Sequence, residues 1–121
     1  MKIIKFLVVL ILIVITYYSL KTPTGNNDLP MNDKIGHCLA YASLSFHLML
    51  LSNSIKNKIF GLFFAICYSL LMEYLQGFIP NRTPSMYDMI ANTTGVLVGF
   101  FIIYFFKPQI IKIYGFLRII N

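Results

Sequence analysis

The sequence is short of charged residues. Asp, Glu, Lys and Arg make up 12% of its 121 residues, and only four of them are acidic, whereas hydrophobic residues make up 58%. A soluble domain of this length needs a polar surface around its core, and so few charged side chains cannot build one. The composition therefore predicts an integral membrane protein whose apolar excess faces lipid.

Cysteine is scarce as well. The two cysteines, Cys38 and Cys67, lie singly inside apolar stretches. The cysteines lack the paired spacing that marks a disulfide scaffold or a cysteine-based zinc site, so both are excluded. Both cysteines are predicted to be packing residues, and no cofactor is predicted.

The sequence also lacks the clustered basic and aromatic residues that line a nucleic-acid groove. Its net charge of +6 comes from Lys and Arg at the ends of apolar runs. Basic residues in such positions are attracted to anionic lipid headgroups. The charge therefore indicates the lipid bilayer as a partner and argues against nucleic acid.

Four apolar runs predict transmembrane helices over residues 3–20, 33–51, 59–78 and 85–106. Each approaches the roughly 20 residues needed to cross a bilayer. The sequence lacks the alternating strands of a membrane barrel, so the predicted fold class is an all-α four-helix transmembrane bundle forming one domain over residues 1–121. Residues 110–120 follow Pro108, are too short to span, and are predicted to form a separate interfacial segment.

The first run could be read as a signal peptide, because Lys2 and Lys5 precede its apolar stretch. However, residues 16–20 offer no small-residue cleavage site, and Tyr17 and Tyr18 suit a membrane interface. An uncleaved anchor helix is therefore predicted. Residues 21–31, rich in Pro, Gly and Asn, form the only clear linker.

Basic residues are unevenly divided between the two sides of the predicted bundle, and this predicts that both termini are cytoplasmic. The four acidic residues then lie at or near the outer face. The seven basic residues on the cytoplasmic side are Lys2, Lys5, Lys56, Lys58, Lys107, Lys112 and Arg118, the three outside are Lys21, Lys34 and Arg82, and the acidic ones are Asp28, Asp33, Glu73 and Asp88.

Glu73 is the most informative residue of the third run. It lies about five residues before the predicted helix end, or roughly 8 Å below it. An ionisable side chain at such a depth is costly to insert and usually faces a partner or a cavity. Gln76 and Gly77 share its helical face, although a packing seam between helices is an alternative role for Gln76.

In the second run, Asp33, His37 and Tyr41 follow one another at four-residue spacing, so they share a helical face flanked by Lys34. The alternatives are that Asp33 only stabilises the helix N-terminus and that His37 is a hydrogen-bonded interfacial residue. His47 is rotated away from this face and lies toward the cytoplasmic helix end, so it is predicted to pack or to lie at the interface.

The fourth run begins with turn and capping residues. Ser85 and Asp88 resemble a capping box, in which Asp88 would also gain from the helix dipole. Thr83 followed by Pro84 is an alternative start.

Further along the fourth helix, Asn92, Gly95 and Gly99 continue the face that carries Asp88. The two glycines are four residues apart, a spacing that lets a neighbouring helix approach closely. This face is predicted to pack against the polar faces of the second and third helices.

The charges of these faces nearly balance, because Lys34 and Arg82 oppose Asp33, Glu73 and Asp88. Such a balance favours an internally paired network, with Arg82 forming a bidentate bond to Glu73 or Asp88. It leaves little charge for a divalent ion, and the spacing matches no established signature, so no metal site is predicted.

These residues form a pattern that resembles the VanZ-like family over residues 33–99. The resemblance implies a bacterial multi-pass membrane protein with a cell-envelope role, in a family named for a member associated with resistance to the antibiotic teicoplanin. One departure is Asn81, where glycine is expected more often. The pattern is Asp33-Lys34-x-x-His37, then Glu73-x-x-Gln76, then Arg82-x-x-Ser85-x-x-Asp88-x-x-x-Asn92-x-x-Gly95-x-x-x-Gly99.

The first functional hypothesis is binding, in which the protein holds a lipid-linked or glycopeptide-type ligand, or a partner protein, at the outer leaflet. Arg82 and Lys34 would contact an anionic headgroup, and Glu73 would orient Arg82. Gln76 and Asn92 would supply directional hydrogen bonds. The candidate ligand-binding residues are Asp33, Lys34, His37, Glu73, Gln76, Arg82, Ser85, Asp88 and Asn92.

The second hypothesis is an intramembrane enzyme acting on an envelope amphiphile, with Glu73 and His37 as acid and base, Asp88 as a further catalytic candidate and Arg82 steadying a developing anion. No serine or cysteine in the sequence has a recognisable paired base. A third hypothesis, proton or ion movement along Glu73, His37 and Asp88, ranks lowest, because these residues occupy only the outer half of the bundle.

Overall fold

The computed structural model describes residues 1–22 and 30–117, with the side chains of 30–32 excepted. Regular structure in these ranges is entirely helical and consists of α1 (Lys2–Leu20), α2 (Pro30–Leu51), α3 (Ile55–Gln76) and α4 (Met86–Phe116). The all-α prediction is confirmed for this part of the chain. Successive helices are antiparallel, and the end of the bundle where α1 and α3 finish and α2 and α4 begin is called the polar end below.

Within the described ranges, α1, α3 and α4 are long and apolar enough to cross a membrane. They carry large apolar side chains that are exposed, such as Phe6, Phe60 and Phe105, while Glu73 and Asn92 are buried. This pattern is the reverse of a soluble protein and fits a lipid environment. The structure thus supports a multi-pass membrane protein.

Helix α2 lies at the centre of the bundle, since it contacts each of the other three helices and packs most extensively on α4. Its 22 residues match the length of α3, but α2 is more polar and does not reach the apolarity of the other three. Because the other helices cover much of α2, polar residues in its middle, such as Tyr41 and Ser45, are buried against protein.

Two glycines allow α4 to approach α2 closely. A Cβ atom at Gly95 would collide with the carbonyl oxygen of Cys38, and one at Gly99 would collide with that of Ala42 and lie 2.9 Å from the backbone nitrogen of Phe46. Backbones in such contact exclude any larger side chain. The predicted close packing of this face on the second helix is confirmed.

The starts of α2 and α3 differ from the predictions. Helix α2 includes Pro30, which was predicted to belong to the linker, because proline fits the first helical turn, where its missing N–H is not needed. Helix α3 begins at Ile55 rather than at 59, since the Ser54 side chain accepts a hydrogen bond from the backbone N–H of Asn57 at 3.2 Å and caps the helix. Helix α3 also ends at Gln76, two residues earlier than predicted. Residues 23–29 of the predicted linker lie outside the described ranges.

Helix α4 also departs from the prediction, because it continues through Pro108 to Phe116 instead of ending near 106. Proline inside a helix costs about 3 kcal/mol. Apolar contacts oppose this cost, since Ile110 and Tyr114 pack on the buried cluster that contains Met49 and Leu50 of α2. The predicted separate segment over residues 110–120 is therefore wrong for 110–116, and Arg118 lies outside the described residues.

The two cysteines lie in different surroundings. Cys38 is half-buried beside Gly95, as its predicted packing role requires, whereas Cys67 is exposed on α3. The prediction is wrong for Cys67 because the helical turn places it two residues beyond buried Ala65, on the outer side of the helix.

Candidate functional site

The polar end of the bundle gathers charged and amide side chains from three helices, and we call this set the polar cluster. Four of its members, Glu73, Gln76, Asp88 and Asn92, are buried. The cluster consists of Asp33, Lys34 and His37 on α2, Glu73 and Gln76 on α3, and Asp88 and Asn92 on α4.

Helices α2 and α4 are joined by an ion pair in the cluster. The Lys34 Nζ atom lies 2.8 Å from Asp88 Oδ1 and 5.8 Å from the ring centroid of Tyr87. Asp33 Oδ1 lies 3.8 Å from His37 Nε2 on the same helix. Both charge pairs found in the described part of the chain therefore belong to the polar cluster.

Glu73 is the most deeply enclosed charged residue of the cluster, with 2% of its surface exposed. Its Oε2 atom accepts a hydrogen bond from the backbone N–H of Ser85 at 3.1 Å, while Oε1 has no hydrogen-bond partner among the described residues. The carboxyl group lies within electrostatic reach of Asp88 and His37. Because α3 ends at Gln76, Glu73 lies about 4.5 Å below the helix end rather than the predicted 8 Å.

Other buried polar atoms near Glu73 also lack partners within the described residues, namely Gln76 Nε2 and Asn92 Oδ1. Leaving a buried polar group unsatisfied costs about 1–3 kcal/mol. The hydroxyl groups of Tyr41 and Ser45 on α2 are also buried without a hydrogen-bond partner among the described residues. Buried polar atoms are normally hydrogen-bonded, so these atoms require a water molecule, an ion or a ligand as partner.

Ser45 was not among the predicted site residues. It continues the row of Asp33, His37 and Tyr41 at the same four-residue spacing, and it is fully buried. The spacing alone could have identified it, since residues four apart share a helical face. The polar face of α2 therefore extends about 18 Å along the helix from Asp33 to Ser45.

Arg82 binds backbone carbonyl groups rather than a carboxylate. Its Nη1 atom donates hydrogen bonds to the carbonyl oxygens of Tyr18, Ser19 and Lys21, at distances of 2.9, 2.7 and 3.1 Å. The last carbonyl groups of a helix have no partner within the helix, so they accept such donors readily. Arg82 thus ties the end of α1 to the loop between α3 and α4.

The predicted bidentate bond from Arg82 to Glu73 or Asp88 is therefore wrong, since Arg82 forms no ion pair with a carboxylate in the described residues. Among Lys34 and Arg82, only Lys34 therefore forms an ion pair with a carboxylate of the cluster in the described residues.

Ser85 is the N-cap residue of α4, but its side chain makes no capping hydrogen bond. The predicted capping box with Asp88 is not formed, because the Asp88 carboxylate binds Lys34 instead. The alternative start at Thr83 is also excluded by this N-cap. Ser85 contributes through its backbone N–H, which holds the Glu73 carboxyl group.

Three cluster residues offer ligand atoms to a metal ion. One ligand atom each from Asp33, His37 and Asp88 lies within 4.8 Å of the other two. The spacing along the sequence could not show this group, because Asp88 is supplied by another helix.

His47, the other histidine, lies toward the opposite end of α2, where its Nδ1 atom is 2.7 Å from the Ser43 carbonyl oxygen.

The sequence of residues 4–107 matches a family model described as VanZ/LLP1. The match includes α1, α2, α3 and most of α4, together with every residue of the polar cluster. No curated protein and no solved structure matches the chain.

Proposed function

Because the chain belongs to the VanZ/LLP1 family, we propose that it is a bacterial cell-membrane protein that binds the headgroup of a lipid-linked or glycopeptide-type envelope ligand at the polar cluster. The observation that carries the proposal is the buried carboxyl group of Glu73, whose Oε1 atom has no partner among the described residues. An ionisable residue inside a membrane helix is a functional candidate by default, because its insertion is costly.

The unpaired atoms indicate which headgroup fits. Glu73 Oε1 and Asn92 Oδ1 accept hydrogen bonds, whereas Gln76 Nε2 donates one. A hydroxyl-rich headgroup offers both donors and acceptors and would satisfy all three. The anionic headgroup expected from Arg82 and Lys34 is less favoured, because Arg82 Nη1 is bound to carbonyl groups and Lys34 Nζ to Asp88.

Access to the cluster is from the end of the bundle. The side chains of Asp33 and Lys34 are 45% and 34% exposed, whereas those of His37 and Asp88 are each 11% exposed. In the proposed binding mode the headgroup meets Asp33 and Lys34 first. Displacement of Lys34 from Asp88 then opens the way to the buried amide and carboxyl groups.

The proposed topology has α2 as a fourth membrane crossing, both termini in the cytoplasm and the polar cluster on the extracytoplasmic side. Helix α2 has 22 residues and is about 33 Å long, enough to cross the hydrocarbon core. The uneven distribution of Lys and Arg supports this orientation.

Native mass spectrometry of the protein in polymer discs that retain native lipid tests the proposal. Wild-type protein is expected to carry an envelope lipid enriched over the bulk membrane. Glu73→Gln should lower the enrichment about tenfold or more, since a hydrogen bond to a charged group contributes about 1.5–3 kcal/mol. Ser52→Ala is the matched control, because Ser52 is a buried serine at the opposite end that bonds the Leu48 carbonyl. Absence of enrichment in wild type, or an equal loss in Ser52→Ala, contradicts the proposal.

The second candidate is an intramembrane enzyme acting on the same ligand class, favoured by the Glu73 carboxyl group, whose Oε1 atom has no partner among the described residues and which lies within electrostatic reach of His37. The same variant separates the two functions. Teicoplanin susceptibility of a strain expressing the chain serves as the envelope phenotype, since the resemblance implies a cell-envelope role and the family is named for a member associated with resistance to this antibiotic. If Glu73→Gln keeps the enriched lipid but abolishes the phenotype, the enzyme is favoured, whereas loss of both supports binding.

A further inference from the structure

We propose that Asp33, His37 and Asp88 form a binding site for a divalent transition-metal ion of the zinc type. Asp33 and His37 are one turn apart on α2, and Asp88 faces them from the first turn of α4. One ligand atom from each lies within 4.8 Å of the other two, and the closest recorded approach, between His37 Nε2 and Asp33 Oδ1, is 3.8 Å. Two ligands about 2.1 Å from a tetrahedral zinc ion are about 3.4 Å apart, so small side-chain movements complete the site.

Buried polar atoms next to these ligands point independently to a bound species. The Ser85 N–H holds Glu73 Oε2 at the start of α4, which places the carboxyl group beside the turn that carries Asp88. Glu73 Oε1 and, one turn beyond Asp88, Asn92 Oδ1 have no partner among the described residues, and both side chains are at least 98% buried. In the absence of the proposed headgroup, a water molecule bound to the ion would donate hydrogen bonds to these two acceptors, and the headgroup would displace it.

The formal charge of the cluster is negative, which favours a cation. Asp33, Glu73 and Asp88 contribute −3 when ionised, and Lys34 and Arg82 contribute +2, which leaves −1; the Arg82 guanidinium keeps its charge although it donates to carbonyl groups of α1. The Lys34 Nζ atom is paired with Asp88 Oδ1, but the Lys34 side chain is 34% exposed. Its flexible stem allows the ammonium group to move into solvent when an ion binds.

The ligand set selects the kind of metal. Imidazole with two carboxylates provides three protein ligands and an open position, which zinc accepts. Magnesium and calcium prefer six or more oxygen ligands, so they should bind weakly here. No metal site was predicted from the sequence, because Arg82 and Lys34 were expected to balance the carboxylates and because Asp88 is distant along the chain from the other two ligands.

Metal binding to the purified full chain tests the site. Protein stripped with EDTA is dialysed against Zn²⁺ alone, and bound metal is measured by mass spectrometry; Co²⁺ in place of zinc reports the ligand set by its absorption spectrum. Wild type is expected to bind one ion per chain. His37→Gln should weaken zinc binding by more than about tenfold, because the loss of a residue that only hydrogen-bonds to a metal ligand already lowers metal affinity about tenfold. His47→Gln is the matched control and should bind as wild type does.

A second variant gives an opposite prediction. Lys34→Met removes the ammonium group that competes for Asp88, so zinc affinity should rise. Equal zinc binding by wild type and His37→Gln, affinity for Mg²⁺ or Ca²⁺ as high as for Zn²⁺, or no gain in Lys34→Met would each overturn the proposal. If His37→Gln does not elute as folded protein in size-exclusion chromatography, Asp33→Asn takes its place, since Asp33 is exposed. Failed zinc binding with intact lipid retention removes the metal site and leaves the proposed ligand-binding function standing.

Discussion

Asn81 adopts a left-handed backbone conformation, with φ of 61°, in the loop between α3 and α4. Most L-residues pay about 1–2 kcal/mol for this conformation, whereas glycine and asparagine tolerate it. The structure therefore explains why the family resemblance leads one to expect glycine at this position. The same loop places Arg82 against α1 and Ser85 against Glu73, so its shape matters for the polar cluster.

Asn81→Ala is expected to lower stability by about 1 kcal/mol, because alanine disfavours a positive φ. Asn81→Gly should be as stable as wild type or more stable. The midpoint of thermal unfolding of the purified protein measures both effects. An alanine variant as stable as the glycine variant would show that the loop does not depend on this conformation.

At the scale of residues, the sequence predicted which side chains share a helical face better than it predicted which groups meet across the bundle. The row of Asp33, His37 and Tyr41 follows from helical spacing alone. The partner of Arg82 could not be predicted, because it consists of backbone carbonyl groups at the end of α1, and any helix end offers such acceptors. The Lys34–Asp88 pair depends on how α2 and α4 are aligned, which helical spacing within either helix does not determine.

At the scale of the helices, contact between α2 and α4 depends on Gly95 and Gly99. Gly99→Ala is expected to destabilise the bundle by about 1–3 kcal/mol, since its methyl group would meet the Ala42 carbonyl and the Phe46 backbone nitrogen. This loss exceeds the gain of up to about 1 kcal/mol that alanine brings to a helix over glycine.

Gly115→Ala is the matched control on the same helix, because a Cβ atom there meets nothing within 4 Å. It should leave stability unchanged or raise it, so only Gly99→Ala should lower the unfolding midpoint. Equal shifts would mean that α4 does not approach α2 as closely as the structure shows.

The helices themselves were predictable from the long apolar runs, whereas their boundaries were less so. Two of the boundary errors, at the start of α2 and at the end of α4, involve proline, whereas the error at the start of α3 does not. Pro30 was taken for a linker residue and Pro108 for a helix end, but the first fits an initial helical turn and the second is held by packing of Ile110 and Tyr114. Such packing is a tertiary effect, which sequence pattern alone does not show.

At the scale of the whole molecule, the proposed topology makes a prediction about labelling. In a background with Cys38→Ser and Cys67→Ser, a membrane-impermeant maleimide should label Lys21→Cys and Thr83→Cys in intact cells. Ser54→Cys should react only after permeabilisation, because it precedes α3 at the opposite end. Lys21→Cys and Ser54→Cys labelled from the same side would show that α2 does not cross the membrane, and a reversed pattern would invert the orientation.

Helix α4 has more length than a bilayer requires. Its 31 residues extend about 46 Å, whereas a hydrocarbon core is about 30 Å thick. The part from Met86 to Lys107 already covers about 33 Å, and it is fastened near both ends, by Asp88 to Lys34 and by Lys107 to the Ser52 carbonyl oxygen at 2.6 Å. The turns beyond Lys107 exceed the length that a bilayer requires, so a thicker or thinner bilayer is expected to be matched at that end of α4, while the ion pair with Lys34 keeps the carboxylates at their depth.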